Sequence, residues 1–213
     1  MSAASGASGI VGLAVAQPGA DPGTDLPRIA QGALVHHAAR ALVVDSADIV
    51  VRDDPQAHGD GCVCAPGNLM DPPFAPSPGE FRPWLDGFSS ALVLQVDRPA
   101  DSFRQGEPGW ACRLKAIRND GDYEALHETW TGLHDAIMWT ERELFRAGYY
   151  LSVGFGALTC TLCNTCDVSR LCKFPYRARP SIEAVGVDVD ATLERLGLEA
   201  EPGTVLTGVV LAV

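Results

Sequence analysis

The chain has no long hydrophobic run and a shortage of positive charge near its start. No stretch approaches the roughly 18 apolar residues that cross a bilayer, so we expect no membrane span. The apolar residues 10–16 have no lysine or arginine before them, so we expect no secretory signal. Together these absences predict a cytoplasmic protein.

Basic residues are outnumbered in the chain as a whole. There are 16 lysines and arginines against 27 aspartates and glutamates, which gives a formal net charge of -11. A surface this acidic repels phosphate backbones and anionic lipid. We therefore expect neither a nucleic-acid partner nor a membrane partner. We interpret the negative charge as one that keeps the protein soluble. Attraction of a basic protein partner is the alternative.

Several common catalytic motifs are missing as well. The sequence contains no G-x-S-x-G and no H-E-x-x-H. The glycines at Gly154 and Gly156 lack the further glycine and the lysine of a phosphate-binding loop. The sequence therefore names no reaction, and it leaves open whether the protein is an enzyme.

The sequence is rich in cysteine. Seven cysteines are present, an odd number that does not suit a secreted disulfide framework. Four of them form a C-x2-C-x2-C-x5-C cluster, in which the short gaps direct the sulfurs towards one centre. Thiolates packed so closely repel one another unless a cation neutralises them. The cluster predicts a metal centre whose ligands are Cys160, Cys163, Cys166 and Cys172.

The spacing favours one cofactor and leaves two alternatives. Three cysteines at three-residue steps resemble the run that wraps a cube-shaped iron–sulfur cluster, so a [4Fe–4S] cluster is the main prediction. Zinc sites more often use two separated cysteine pairs, and a metal-free loop is the third reading. An iron–sulfur cluster would suit a protein that serves a redox or metal-dependent reaction. Zinc would suit a zinc-stapled interaction module, in which the metal only stabilises the fold. A third possibility is an enzyme with an open cluster site for Lewis-acid or sulfur-transfer chemistry. Candidate partners are a redox protein or a small-molecule substrate.

Other polar residues are weaker candidates. Cys62 and Cys64 are candidates for a second metal centre, whereas Cys112 has the surroundings of a core residue. His58 is a candidate ligand or proton donor, and the seven-residue spacing of His127 and His134 indicates a solvated helix face. Basic and acidic residues after the cysteines would tune the cluster or bind an anion, although Arg179 and Glu183 have the spacing of a structural ion pair. These residues are Arg177, Arg179, Glu183 and Asp188.

Hydrophobic periodicity predicts a single layered α/β domain over residues 26–213, with a flexible tail over residues 1–25. We expect a three- to four-stranded sheet with flanking helices and a cysteine-rich metal-binding loop. In the second predicted helix, Ser77 and Glu80 have the spacing of a capping box. The predicted helices cover residues 27–40, 77–87, 122–147 and 190–196, and the predicted strands cover residues 48–52, 91–96, 149–155 and 204–213.

The C-terminal half also resembles a known family. Residues 143–150 read ELFRAGYY, the cysteine run follows, and residues 179–188 read RPSIEAVGVD. In this order, over residues 120–190, these segments resemble the predicted metal-binding proteins of the domain of unknown function 2284. Family members tend to carry further cysteines in the other half, where Cys64-Ala-Pro stands in place of a Cys-Pro-Pro. The resemblance implies a cysteine-bound metal centre, most often supposed to be iron–sulfur, and no known reaction.

Overall fold

A computed structural model describes residues 19–53, 68–97, 121–163, 165–198 and 205–212, with the backbone alone for residues 121–125. The described residues form one four-stranded antiparallel sheet in the order β1-β2-β4-β3. The single α/β domain with a three- to four-stranded sheet is therefore confirmed. The strands are β1 (Arg40–Asp45), β2 (Ser90–Asp97), β3 (Val153–Phe155) and β4 (Val205–Ala212).

The two central strands carry the most apolar sequence. Every residue of β4 is buried, and its neighbour β2 is buried from Ala91 to Val96. Side chains of a strand alternate between the two faces of the sheet, so continuous burial means that both faces are covered. The predictions of strands at residues 91–96 and 204–213 are confirmed.

Four α-helices accompany the sheet in the described residues. The second begins with the predicted capping box, in which the Ser77 hydroxyl accepts from the Glu80 N–H and the Glu80 carboxylate accepts from the Ser77 N–H. The third ends before Gly148, whose φ of 98° is one that glycine adopts readily. None of the described helices is long and apolar enough to cross a membrane. The helices are α1 (Pro22–Ala33), α2 (Pro78–Leu85), α3 (Gly121–Arg146) and α4 (Val189–Arg195).

The first helix lies closer to the N-terminus than predicted. The first helix begins at Pro22, because Asp21 caps it by accepting from the Gly23 N–H and Pro22 takes the first-turn position. It ends at Ala33 rather than near residue 40, and His37 has a φ of 72°. The predicted flexible tail thus loses its last residues to α1, and residues 1–18 lie outside the described chain.

Two strand predictions also needed correction. The strand predicted at residues 48–52 is wrong, and β1 lies just before it instead. Asp45 ends β1 by accepting from the Ala47 N–H, which starts a 3-10 turn at residues 46–48. Val51 makes an isolated bridge to Val187. The strand predicted over residues 149–155 shortens to β3.

The sheet separates two hydrophobic cores. On one face α1 and α3 pack against Leu92, Leu94 and Val210. On the other face α2, α4 and residues 182–189 pack against Val93, Val209 and their neighbours. Because β3 is an edge strand fixed between these layers, the chain that leaves it starts from a rigid support.

Candidate metal centre

The cysteine-rich loop leaves the sheet and returns to the same point. Just after β3, the Gly156 N–H donates to the Pro180 carbonyl at 2.8 Å, and the Ile182 N–H donates to the Gly156 carbonyl at 2.9 Å. These bonds form a parallel bridge between Gly156 and Ser181. Residues 157–179 therefore form a closed loop with a fastened base, which holds all four clustered cysteines.

An ion pair from α3 secures the end of this loop. Glu141 accepts from the Arg179 guanidinium at 2.9 and 2.8 Å through its two oxygens, and one of them also accepts from the Gly154 N–H at 2.6 Å. Both side chains are largely buried, with 12% of Glu141 and 19% of Arg179 exposed. The predicted pair between Arg179 and Glu183 is wrong, because residues 179–183 are not helical and the guanidinium contacts Glu141 instead.

The four cysteines line one cavity. Its volume is about 300 Å³, and its opposite wall is formed by residues 68–70. All four cysteines are partly exposed, so their thiols are accessible from the cavity. Within the described residues, no three side chains of cysteine, histidine, aspartate or glutamate converge closely enough to hold a single metal ion. The structure thus brings Cys160, Cys163, Cys166 and Cys172 around a shared space rather than onto one point.

The surroundings of Cys160 disfavour a thiolate at this position without a cation. Burial raises the pKa of Cys160 to about 11, although a hydrogen bond from the Leu162 N–H opposes this shift. Cys172, Cys163 and the carboxylate of Asp71 raise the pKa further, because a thiolate at Cys160 would be repelled by their negative charges. A positive centre in the cavity would reverse this balance and favour the thiolates.

Backbone turns explain how the five-residue gap before Cys172 is accommodated. Asp167 accepts from the Ser169 N–H at 3.1 Å and from its hydroxyl at 2.6 Å, and these bonds lower the pKa of Asp167. After Cys172, the Ala178 N–H donates to the Phe174 carbonyl at 2.8 Å. The extra residues are thus taken up in a turn at Asp167.

Donors for a sulfur-rich ligand are already present. The Phe174 N–H donates to the Cys172 sulfur at 3.4 Å. The Thr161 hydroxyl is buried and has no hydrogen-bond partner among the described residues. Buried hydroxyls are normally paired, so Thr161 fits a site where a bound group supplies the acceptor. The donor set, four thiols with nearby N–H and O–H groups, fits an iron–sulfur cluster.

A polar network that the sequence did not reveal supports the cavity wall. The Asn68 amide donates to Asp71 at 2.7 Å and to the Thr159 hydroxyl, and Thr159 donates to Asp71 at 3.0 and 2.8 Å. Asn68 and Asp71 are buried. The contacts cross about ninety positions of sequence and join the opposite wall to the residue before Cys160. The local sequence contains no signal for such a long-range contact.

Replacing Thr159 with valine is expected to loosen this wall. Valine has the same shape but no hydroxyl, so Asp71 loses a donor while it stays buried. We expect a loss of about 1–3 kcal/mol in the free energy of unfolding, measured by urea denaturation. Metal release to a chelator should also be faster. Thr159→Ser, which keeps the hydroxyl, is the control, and equal behaviour of the two variants would contradict this role.

Other predicted candidates are dispersed. Asp188 caps α4 by accepting from the Ala191 N–H at 3.1 Å and pairs with Arg52, so its role is structural. Glu183 is buried and accepts from the Leu158 N–H at 3.3 Å. Arg177 is exposed on the loop. Cys62, Cys64, Cys112 and His58 lie outside the described residues, so the second centre stays a prediction.

The solvated helix face predicted for His134 is wrong. Only 3% of this residue is exposed, and its ring stacks on Trp130 with centroids 4.9 Å apart. Its Nε2 atom has no hydrogen-bond partner within the described chain. Burial lowers the pKa of His134 below its ordinary 6.5, and the positive charges of Arg177 and Arg179 lower it further. His134 is thus a neutral core residue on the side of α3 that faces these arginines.

This burial predicts a pH dependence of stability. A histidine whose pKa is depressed by folding contributes stability above its unfolded value of 6.5, which is lost as the pH falls through the folded pKa. We expect the wild-type protein to lose stability relative to His134→Phe between roughly pH 7.5 and roughly pH 5.5, because phenylalanine keeps the stack without titrating. Urea denaturation at both pH values measures this difference, and parallel curves would contradict it.

Comparison with known proteins agrees with the cysteine-lined cavity. A family model described as a predicted metal-binding protein matches residues 42–211, which include nearly all of the sheet and every described helix except α1. The chain belongs to this family, the domain of unknown function 2284. No curated protein and no solved structure matches the chain. The resemblance noted in the C-terminal half is confirmed, and it extends through the sheet from β1 to β4.

Proposed function

We propose that the protein binds a [4Fe–4S] cluster through Cys160, Cys163, Cys166 and Cys172 and serves in electron transfer in the reducing cytoplasm. The observation that carries this proposal is the cavity of about 300 Å³ that the four thiols line. A thiolate at Cys160 needs a positive centre there, since burial raises the pKa of this thiol to about 11.

The arrangement of the sulfurs supports a cluster over a single zinc ion. Zinc at a Zn–S distance of about 2.3 Å draws four sulfurs onto one small tetrahedron. A cluster contains its own iron and sulfide, so its protein ligands are spread more widely. The three-residue steps from Cys160 to Cys166 match the run that wraps such a cluster, and the four cysteines line one shared cavity.

The surrounding residues have roles that suit electron transfer. A cluster held by the four cysteines would supply one-electron transfer. The Phe174 N–H is directed at the Cys172 sulfur, and the Thr161 hydroxyl is available to a cluster sulfur. Such donors stabilise negative charge and so raise the reduction potential. The fastened loop base limits movement of the ligands.

Metal and sulfide analysis of protein purified without oxygen tests the proposal. About four iron and four sulfide per chain, with broad absorbance near ~400 nm that bleaches on reduction, is the expected result. A colourless protein with one zinc would overturn it in favour of the zinc-stapled interaction module. A protein with neither metal would overturn both.

A further inference from the structure

The cysteine loop reverses the charge of the chain. The whole sequence has 27 acidic and 16 basic residues, whereas residues 160–179 contain one acidic and four basic residues. The acidic residue is Asp167, and the basic ones are Arg170, Lys173, Arg177 and Arg179. A local excess of positive charge on an acidic protein calls for an explanation at this site.

Intramolecular pairing accounts for only part of this charge. Arg179 is largely buried against Glu141, and Arg170 contacts Asp167 at 3.1 Å. Lys173 and Arg177 are exposed and form no ion pair within the described residues. Two positive charges on the loop are thus presented to solvent.

Large apolar side chains lie beside these charges. Leu171 is 94% exposed, Tyr176 is 87% exposed and Phe174 is 40% exposed. These three side chains lie within six residues, and none of them is fully buried in the folded chain. Their exposure to water therefore adds little hydrophobic stabilisation to the fold. Exposed apolar groups rimmed by charge mark protein interaction sites.

We propose that this surface docks an acidic protein that carries electrons. The surface, which we name the docking surface, consists of Arg170, Leu171, Lys173, Phe174, Tyr176 and Arg177. The proposal rests on the proposed function for the class of partner, an electron carrier. Its acidic character follows from the charge of the docking surface alone.

The charge distribution also selects the orientation of the complex. A chain of net charge -11 repels an acidic partner overall, so the exposed positive charges of the docking surface favour binding on this side of the described domain. Four of its six residues, Arg170, Leu171, Lys173 and Phe174, also line the cysteine cavity. A partner bound there therefore covers the cavity and comes close to the metal centre.

Binding of a purified flavodoxin, a small acidic electron carrier without iron, tests the proposal. Affinity is measured by calorimetry at low and high salt with the anaerobic protein. We expect binding that weakens as salt rises, and at least about a tenfold loss of affinity for Lys173→Glu with Arg177→Glu. Leu171→Ser, which alters an almost fully exposed side chain, should weaken binding without changing stability.

The matched control reverses two exposed arginines elsewhere, Arg28→Glu on α1 with Arg40→Glu on β1. Both double variants change the net charge equally. An equal loss of affinity in both would overturn the docking surface, as would a wild-type protein that does not bind. Calorimetry does not require the cluster, so a zinc-containing protein that still binds flavodoxin would refute the proposed function and keep the docking surface.

Discussion

Replacing Cys163 with serine is expected to abolish cluster binding. Serine is a harder and far less acidic ligand than cysteine, and it would leave one iron without a thiolate. Because Cys163 is central in the run and lines the cavity, iron and sulfide per chain should fall at least about tenfold after anaerobic purification. The absorbance near ~400 nm should fall in parallel.

The control for this variant is Cys112→Ser, the same substitution at a cysteine outside the run. It should keep the iron and sulfide content of the wild-type protein. Circular dichroism checks that both variants retain the sheet, so that metal loss is not a result of unfolding. Full iron content in Cys163→Ser would remove this residue from the proposed ligands.

Replacing Glu141 with alanine is expected to destabilise the fold by about 3–5 kcal/mol. The substitution leaves the guanidinium of Arg179 largely buried without its carboxylate and removes the acceptor for the Gly154 N–H. A buried charge that loses its partner carries its full desolvation cost. Urea denaturation measures the change in the free energy of unfolding, and iron release to a chelator should be faster because the loop end is freed.

A surface ion pair on the same helix is the control. Glu143 contacts Arg146 at 2.6 Å, but Arg146 is 64% exposed, so solvent screens the pair. Glu143→Ala should cost no more than about 1 kcal/mol. A double-mutant cycle with Arg179→Met would show strong coupling to Glu141→Ala. Equal losses in the free energy of unfolding for the two glutamate variants would refute the role of the ion pair between Glu141 and Arg179.

Local signals in the sequence predicted much of the fold. The Ser77 and Glu80 capping box, the periodicity of α3 and the apolar strand β4 depend on neighbouring residues, and all were confirmed. The position of β1 was different. Residues 40–45 and 48–52 are both rich in β-branched or aliphatic residues, and pairing with β2 decides between them.

Some features of the candidate site also follow from local sequence, and others depend on tertiary packing. The cysteine spacing predicted four thiols near one another, and the structure places them around one cavity. Two other features of the site join distant segments of the chain. They are the ion pair of Glu141 with Arg179 and the hydrogen-bond network of Asn68, Asp71 and Thr159. Such contacts arise from how the layers pack, and no local pattern encodes them. The burial of His134 was missed because the helix faces were assigned without knowledge of what packs on them.

The fastened base of the loop has a consequence for how the protein acquires its metal. Many small metalloproteins are unfolded until the ion arrives, because the metal itself holds the chain together. Here two hydrogen bonds at Gly156 and two hydrophobic cores hold the scaffold independently of any ligand. We therefore expect the apoprotein to keep its fold, so that loss and repair of the cofactor would not require the polypeptide to refold.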